Sequence, residues 1–111
     1  MGVPAAYWLA LQGYDPPAEA KDLTQPMLIV QGGRDYQVTI EDFRRWQEAL
    51  VARPDVTFKV YPLLNHAFVA GEGRSKPEEY MQPGHMAAEV INDIARWVTQ
   101  QHFQASKAMN I

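Results

Sequence analysis

Apolar positions follow two different periods in the middle of the chain. Residues 26–30 have no polar interruption, which is typical of a strand covered on both faces, as in a parallel sheet. Residues 56–62 alternate apolar and polar side chains, as expected of an edge strand, with Lys59 discouraging further pairing. Between them a helix is predicted to begin after the N-cap Thr39, with an apolar face of Ile40, Phe43, Trp46 and Leu50. This order predicts a right-handed βαβ unit.

The remaining segments predict helices and loops around this unit. Residues 1–25 are expected to form a short helix followed by a Pro-rich turn, and residues 26–99 the βαβ core with a C-terminal helix. Residues 100–111 are expected to be a frayed tail. The apolar face of the last helix consists of Val90, Ile91, Ile94, Trp97 and Val98. The whole chain, 1–111, is thus one α/β domain with two parallel strands and about three helices.

Charge and composition narrow the range of partners. Ten Lys and Arg against 13 Asp and Glu give a formal charge of -3, which favours neither nucleic acid nor an anionic membrane. The absence of cysteine excludes disulfides, thiolate catalysis and cysteine-ligated zinc. No stretch approaches the ~18 apolar residues of a membrane span, and the N-terminus lacks a basic segment followed by an apolar one. We expect a soluble, cytoplasmic protein.

Two polar side chains follow the two predicted strands. Asp35 stands just past two glycines in "QGGRDYQV", and His66 lies thirty-one positions later in "PLLNHAF". Because the carboxyl ends of neighbouring parallel strands lie at one edge of a sheet, we expect these side chains to meet. A carboxylate beside an imidazole is a catalytic pair, a pair of metal ligands, or an inherited hydrogen bond without chemistry.

The succession of motifs resembles the C-terminal part of α/β-hydrolases. The stretches "PMLIVQGGRDYQV", "EDFRRWQEAL", "VTFKVYPLLNHAFVAGEG" and "VINDIARWV" are similar to dienelactone hydrolases and prolyl-oligopeptidase-like esterases over about residues 13–99. The resemblance implies a partial α/β-hydrolase fold with Asp35 as the acid and His66 as the base of a triad. The serine of a G-x-S-x-G elbow has no counterpart, because Ser75 and Ser106 lie in a charged loop and in the tail.

A bound cation is another way to activate water when the serine is missing. Asp35 and His66 are residue types that bind Zn²⁺ or Mn²⁺, and His85 in "QPGHMAAEV" is the candidate third ligand, although it also suits a loop or cap. Such a metal lowers the pKa of its bound water and polarises an ester oxygen. The segment "QGGRD" lacks the Walker and dinucleotide spacings, so no nucleotide or organic cofactor is expected.

Three functions remain open at the level of sequence. The preferred prediction is a small hydrolase in which metal-activated water attacks a phosphodiester or phosphate ester. Arg34 and Arg74 are then candidates for binding the phosphate, and Tyr36 for positioning the substrate. The first alternative is a metal-free carboxylesterase in which His66, backed by Asp35, acts on water or on a serine from a partner chain. The second is a catalytically silent module that oligomerises.

The small sheet also predicts self-association. A sheet of two strands is marginal in water, and the strand at residues 27–30 would present unpaired backbone groups beside apolar side chains. We therefore expect a second copy of the chain to cover this edge and to complete the sheet as a homo-oligomer.

Overall fold

The computed structural model describes residues 2–109, with side-chain surroundings for residues 2–107. In chain order the elements are α1 (Ala5–Leu11), α2 (Pro16–Ala20), β1 (Met27–Gly32), α3 (Ile40–Leu50), β2 (Val56–Tyr61), a 3-10 helix (Pro77–Met81) and α4 (Ala88–Met109). β1 and β2 pair in parallel, with Met27 opposite Val56 and Gly32 opposite Tyr61. The predicted α/β class and the two-stranded βαβ core are confirmed.

Two segments differ from the prediction. The Pro-rich turn contains α2, which starts at Pro16 and whose Ala18 N–H donates to the carboxylate of Asp15 at 3.4 Å. The segment expected to be a frayed tail from residue 100 is helical as far as Met109. It contains good helix formers and no proline or glycine, so nothing in its sequence ends the helix. Residues 110–111 lie outside the described residues.

Helix α3 packs on the sheet as its apolar period predicts. The Asp42 carboxylate accepts hydrogen bonds from the backbone N–H of Thr39 at 3.0 Å and from its hydroxyl at 3.3 Å, which fixes the start of the helix. The core around it consists of Ala20, Leu50 and Val56, with Met27, Ile29, Trp46, Ala49 and Phe58 packed against them. This first core joins α2, α3 and both strands.

A second, smaller core lies where β2 ends and α4 begins. It consists of Tyr61, Leu64 and Val90, with Val30, Phe68 and Ala87 packed against them. Of the predicted apolar face of α4, Val90 is fully buried, whereas Ile91 and Val98 are each 53% exposed. Helix α4 therefore docks mainly through its first turns. In the part of the chain that the structure describes, no helix combines the length and the apolar content needed to cross a membrane.

The free edge of β1 borders an apolar groove. Among the described residues, β2 is the one strand paired with β1. The groove has a volume of about 430 Å³ and is lined by Pro26, Met27, Leu28, Ile29, Val30, Trp46, Ile94, Trp97 and Val98. The radius of gyration of the Cα atoms is 17.1 Å, whereas ~13 Å is typical of a compact domain of about this length. The side chains of residues 27–30 are only partly buried, so apolar surface is left uncovered along β1, and its pairing with a second copy stays a prediction.

We expect the purified chain to self-associate at micromolar concentration, as measured by size exclusion with light scattering. Met27 and Gly33 donate their backbone N–H towards β2, so Leu28 and Val30 direct theirs to the free edge by the alternation of the strand. Leu28→Pro should therefore weaken association without breaking the β1–β2 ladder. Val51→Ala, at a residue that is 80% exposed elsewhere, is the control. A strictly monomeric wild-type chain would contradict this prediction.

One carboxylate ties α4 to β2. Asp93 accepts hydrogen bonds from Lys59 Nζ at 2.5 Å and from the Tyr61 hydroxyl at 2.7 Å. The bond from Lys59, followed by that from Tyr61, holds the pKa of Asp93 below its ordinary value. A lowered pKa in the folded state stabilises the fold above the ordinary carboxyl pKa, and this stabilisation disappears as the pH falls through the folded-state value.

Asp93→Asn should therefore lower the free energy of unfolding at neutral pH, and its difference from the wild type should shrink in strongly acidic solution. Urea unfolding at both pH values measures this difference. The matched control is Asp22→Asn, because Asp22 is an exposed carboxylate between α2 and β1 in the chain. An equal destabilisation at both pH values would show that the charge of Asp93 is not what stabilises the contact.

Candidate active site

Two glycines bring the ends of the strands together. A Cβ added to Gly32 would lie 2.3 Å from the carbonyl oxygen of Asn65, and one added to Gly33 would lie 2.7 Å from Cα of Pro62. The Gly33 N–H also donates to the carbonyl of Tyr61 at 2.8 Å. A side chain at either glycine would push the two loops apart. The "GG" of the sequence thus lets the loop after β1 lie directly against the loop after β2.

Asp35 is fixed by its own loop and faces His66. Its Oδ1 accepts the N–H of Gln37 at 2.8 Å and of Val38 at 3.1 Å, and its Oδ2 lies 2.7 Å from Nδ1 of His66. The Asp35 side chain is only 4% exposed. Because the carboxylate acts as the acceptor in these contacts, Nδ1 carries the hydrogen and Nε2 of the neutral ring is left as a free acceptor. The two side chains meet as predicted, and their catalytic role stays a prediction.

His66 stands on a turn that its neighbours hold in place. The side-chain oxygen of Asn65 accepts the N–H of Ala67 at 2.9 Å and of Val69 at 3.0 Å. Phe68 donates its N–H to the Asn65 carbonyl at 2.9 Å and adopts a φ of 61°, a conformation that side-chain-bearing residues rarely adopt. The His66 side chain is 45% exposed. The turn therefore leaves the His66 side chain partly open to solvent while its backbone is held.

The guanidinium of Arg34, which was predicted to bind a substrate phosphate, is buried. Its side chain is 5% exposed. Nε donates to the carbonyl of Gly73 at 2.7 Å, and Nη2 donates to the carbonyl of Glu72 at 3.2 Å and pairs with Glu79. Nη1 is buried beside Gly71, without a hydrogen-bond partner among the described residues. The guanidinium is enclosed by its own loop contacts, and the phosphate-binding role of Arg34 stays a prediction.

The other predicted site residues lie around this pair. Arg74 is exposed and lines, together with Asp35, a cleft of about 430 Å³. Tyr36 is half-buried against Tyr80, with ring centroids 6.2 Å apart. His85 is exposed in the loop before α4. The substrate-binding roles of Arg74 and Tyr36 stay predictions.

The residues predicted to bind a metal do not form a group of ligands in the described part of the chain, and the metal cofactor stays a prediction. Within the described residues, no group of three or more His, Asp or Glu side chains is arranged to hold an ion. His85 therefore does not join Asp35 and His66 as a third ligand. Both oxygens of Asp35 and Nδ1 of His66 are already used in hydrogen bonds, so Nε2 is the one uncommitted nitrogen of the pair. Zinc and manganese sites need more protein ligands than this.

Neither serine is placed as a nucleophile. Ser75 is 3% exposed and its hydroxyl donates to the Glu79 carboxylate at 2.9 Å. Ser106 is exposed far along α4. The hydrogen bond of His66 goes to Asp35, and neither serine shares it. The described residues thus hold an acid and a base without the hydroxyl of a triad, as the sequence predicts.

The sequence did not identify Glu79 and Asn65 as residues that connect the loops of the site. The Glu79 carboxylate accepts hydrogen bonds from Asn65 Nδ2 at 3.2 Å, from Ser75 and from Arg34. These bonds, chiefly that from Asn65, hold the pKa of Glu79 below its ordinary value. In the sequence Glu79 is one of two adjacent glutamates in a charge-rich loop, so no local signal separates it from Glu78.

A parallel βαβ core with a carboxylate and a histidine beyond the carboxyl ends of its strands defines this chain as part of an α/β-hydrolase. The family model described as "Dienelactone hydrolase family" matches residues 5–101. The chain belongs to the dienelactone hydrolase family, and the resemblance seen in the sequence is confirmed.

The comparison with curated proteins finds a relative that is named as an esterase. The chain is similar to Esterase EstD of Thermotoga maritima, with 47% identity over 100 residues, which cover 90% of this chain and 24% of the relative. It therefore spans about a quarter of the length of this relative. No solved structure matches the chain.

Asp35→Asn should change the tautomer of His66. An amide is a weaker acceptor than a carboxylate, so the ratio of the Nδ1–H form to the Nε2–H form should fall by roughly tenfold. The ¹⁵N shifts of the neutral imidazole measure this ratio, and His85→Gln and His102→Gln assign the signals of the three histidines. His66 nitrogen shifts that stay the same in Asp35→Asn would contradict the hydrogen bond.

Proposed function

We propose that this chain carries the acid and the base of a carboxylesterase, with Asp35 orienting His66. The observation that carries the proposal is the 2.7 Å contact between Oδ2 of Asp35 and Nδ1 of His66. The buried carboxylate fixes the ring, while Nε2 on the exposed side chain is free to take a proton. Membership of the dienelactone hydrolase family and similarity to an esterase support ester hydrolysis as the reaction.

In this mechanism His66 is first a general base and then a general acid. Nε2 removes the proton of an attacking hydroxyl as its oxygen bonds to the carbonyl carbon of the ester, and then gives that proton to the leaving alcohol oxygen. Between these steps the ring is positively charged, and the Asp35 carboxylate stabilises it across the Nδ1–H hydrogen bond. A water molecule then attacks the acylated hydroxyl in the same way, with Nε2 first as base and then as acid, and the carboxylic acid product is released.

The attacking hydroxyl is proposed to come from a serine outside the described residues. Ser75 is buried in a hydrogen bond to Glu79 and cannot reach an ester without unfolding its loop. The chain spans 24% of Esterase EstD, so a further polypeptide segment or a partner chain is the source that we propose. The apolar groove along β1 supports the docking of such a chain, because its lining is otherwise left in water.

Carboxyl esters suit the site better than phosphate esters. A phosphodiester brings a negative charge that a site must neutralise. Of the two predicted phosphate ligands, Arg34 is buried in other contacts, which leaves Arg74 at the cleft beside Asp35. The described residues hold no group of metal ligands that would replace it. Arg74 is thus the one predicted feature of the site that supports the metal-assisted phosphodiesterase, whereas the named relative is an esterase.

A chimera tests the proposal. This chain replaces the matching quarter of Esterase EstD, so that the rest of that protein supplies the remaining part of the proposed site. We expect the chimera to hydrolyse p-nitrophenyl acetate and not bis-p-nitrophenyl phosphate, with no loss of rate in EDTA. His66→Ala and Asp35→Ala should each lower kcat/KM by roughly 10²–10⁴-fold, because each removes part of the general acid–base catalysis.

The controls are His85→Ala and His102→Ala, which remove imidazoles outside the dyad and should leave the rate unchanged. Activity that survives His66→Ala, or that disappears in EDTA and returns with Mn²⁺ or Zn²⁺, would contradict the mechanism. A folded chimera without esterase activity would instead favour the catalytically silent module.

A further inference from the structure

Glu79 bridges the two loops that carry the dyad. It lies in the 3-10 helix, between β2 and α4. One of its carboxylate oxygens pairs with Nη2 of Arg34, and the other accepts hydrogen bonds from Asn65 at 3.2 Å and from Ser75 at 2.9 Å. The pair with Arg34 spans 45 positions of the sequence. A single side chain thus contacts the loop after β1, the loop after β2 and its own loop.

Two partners of Glu79 adjoin the residues of the dyad. Arg34 directly precedes Asp35, and Asn65 directly precedes His66. The Arg34 backbone is bound to the second loop as well, because its N–H donates to a carbonyl of that loop at 3.0 Å. Glu79 is therefore connected to each side of the contact between Asp35 and His66 through one intervening residue.

The charge of Glu79 matters because Arg34 is enclosed. With 5% of its side chain exposed, the guanidinium depends on a counter-ion inside the protein, and Glu79 is its ion-pair partner. The hydrogen bonds of Asn65, Ser75 and Arg34 lower the pKa of Glu79, which keeps the carboxylate charged at neutral pH. Without that charge Arg34, the residue before Asp35 in sequence, would be a buried cation without a counter-ion. The surrounding loops would then have to rearrange.

We propose that Glu79 is a positioning residue. Its carboxylate binds Arg34 and Asn65, fixes their positions relative to each other, and so sets the separation of Asp35 and His66. This inference rests on the proposed function, since it gives Glu79 a role for that dyad. Misplacement of a catalytic group by about 1 Å is enough to lower a rate by ~10²-fold, so a bridge between the two loops affects catalysis without touching the substrate.

Glu79→Gln tests the proposal in the purified chain, because the amide keeps the size of the side chain and removes its charge. The readout is the ¹⁵N tautomer ratio of His66, with urea unfolding measured in parallel. We expect the ratio of the Nδ1–H to the Nε2–H form to fall by roughly threefold or more, and to fall further in Glu79→Ala. Glu78→Gln, at the adjacent exposed glutamate, is the matched control and should leave the ratio unchanged.

The outcomes separate this inference from the proposed function. A folded Glu79→Gln chain with the wild-type His66 ratio would overturn the positioning role and leave the dyad intact. A loss of stability with unchanged His66 shifts would show a merely structural role and would overturn it too. A wild-type chain without the Nδ1–H form would defeat the dyad itself, and with it both proposals. In the EstD chimera we expect Glu79→Gln to lower kcat with little change in KM.

Discussion

The close approach of Gly32 and Gly33 to the loop after β2 is the constraint on which the site depends. Parallel pairing delivers both strand ends to one edge, but the loops touch because neither glycine has a side chain in the contact. Asp35 and His66 then reach each other at 2.7 Å. All of these contacts are made between residues 32 and 66. Residues of this chain alone thus make the contact between the two side chains.

Periodicity and topology made the strands, α3 and the meeting of Asp35 with His66 predictable, since each follows from local pattern or from how parallel strands end. The environment of Arg34 was not predictable in this way. A basic residue next to an acid suggests an anion site, and its burial follows from contacts with Gly73 and Glu79, 39 and 45 positions away. The convergence of the predicted metal ligands is hard to predict for a related reason. Residue types indicate possible ligands, whereas whether His85 reaches the others depends on a long loop.

Strand β1 belongs both to the core of the fold and to the candidate site. The strand begins beside the apolar groove and ends at the glycines that position the dyad. Its side chains at residues 27–30 are only partly buried, and α4 leaves Ile91 and Val98 half in water. Burial of apolar surface stabilises by roughly 25 cal/mol per Å², so a chain that covers this groove would stabilise the strand that carries the site. Pairing of a second chain along β1, which stays a prediction, would thus act on the strand that leads to Asp35.

The charge of Arg34 is kept away from the contact between Asp35 and His66. Arg34 adjoins Asp35 in sequence, but its guanidinium binds Glu79 and the carbonyls of Glu72 and Gly73. The pairing with Glu79 neutralises this buried charge inside the loop. The Asp35 carboxylate accepts two backbone N–H groups and faces Nδ1 of His66. In the proposed mechanism the ring becomes positively charged when a hydroxyl attacks an ester, and this carboxylate stabilises it. The proposed chemistry therefore relies on a carboxylate that the neighbouring arginine does not occupy.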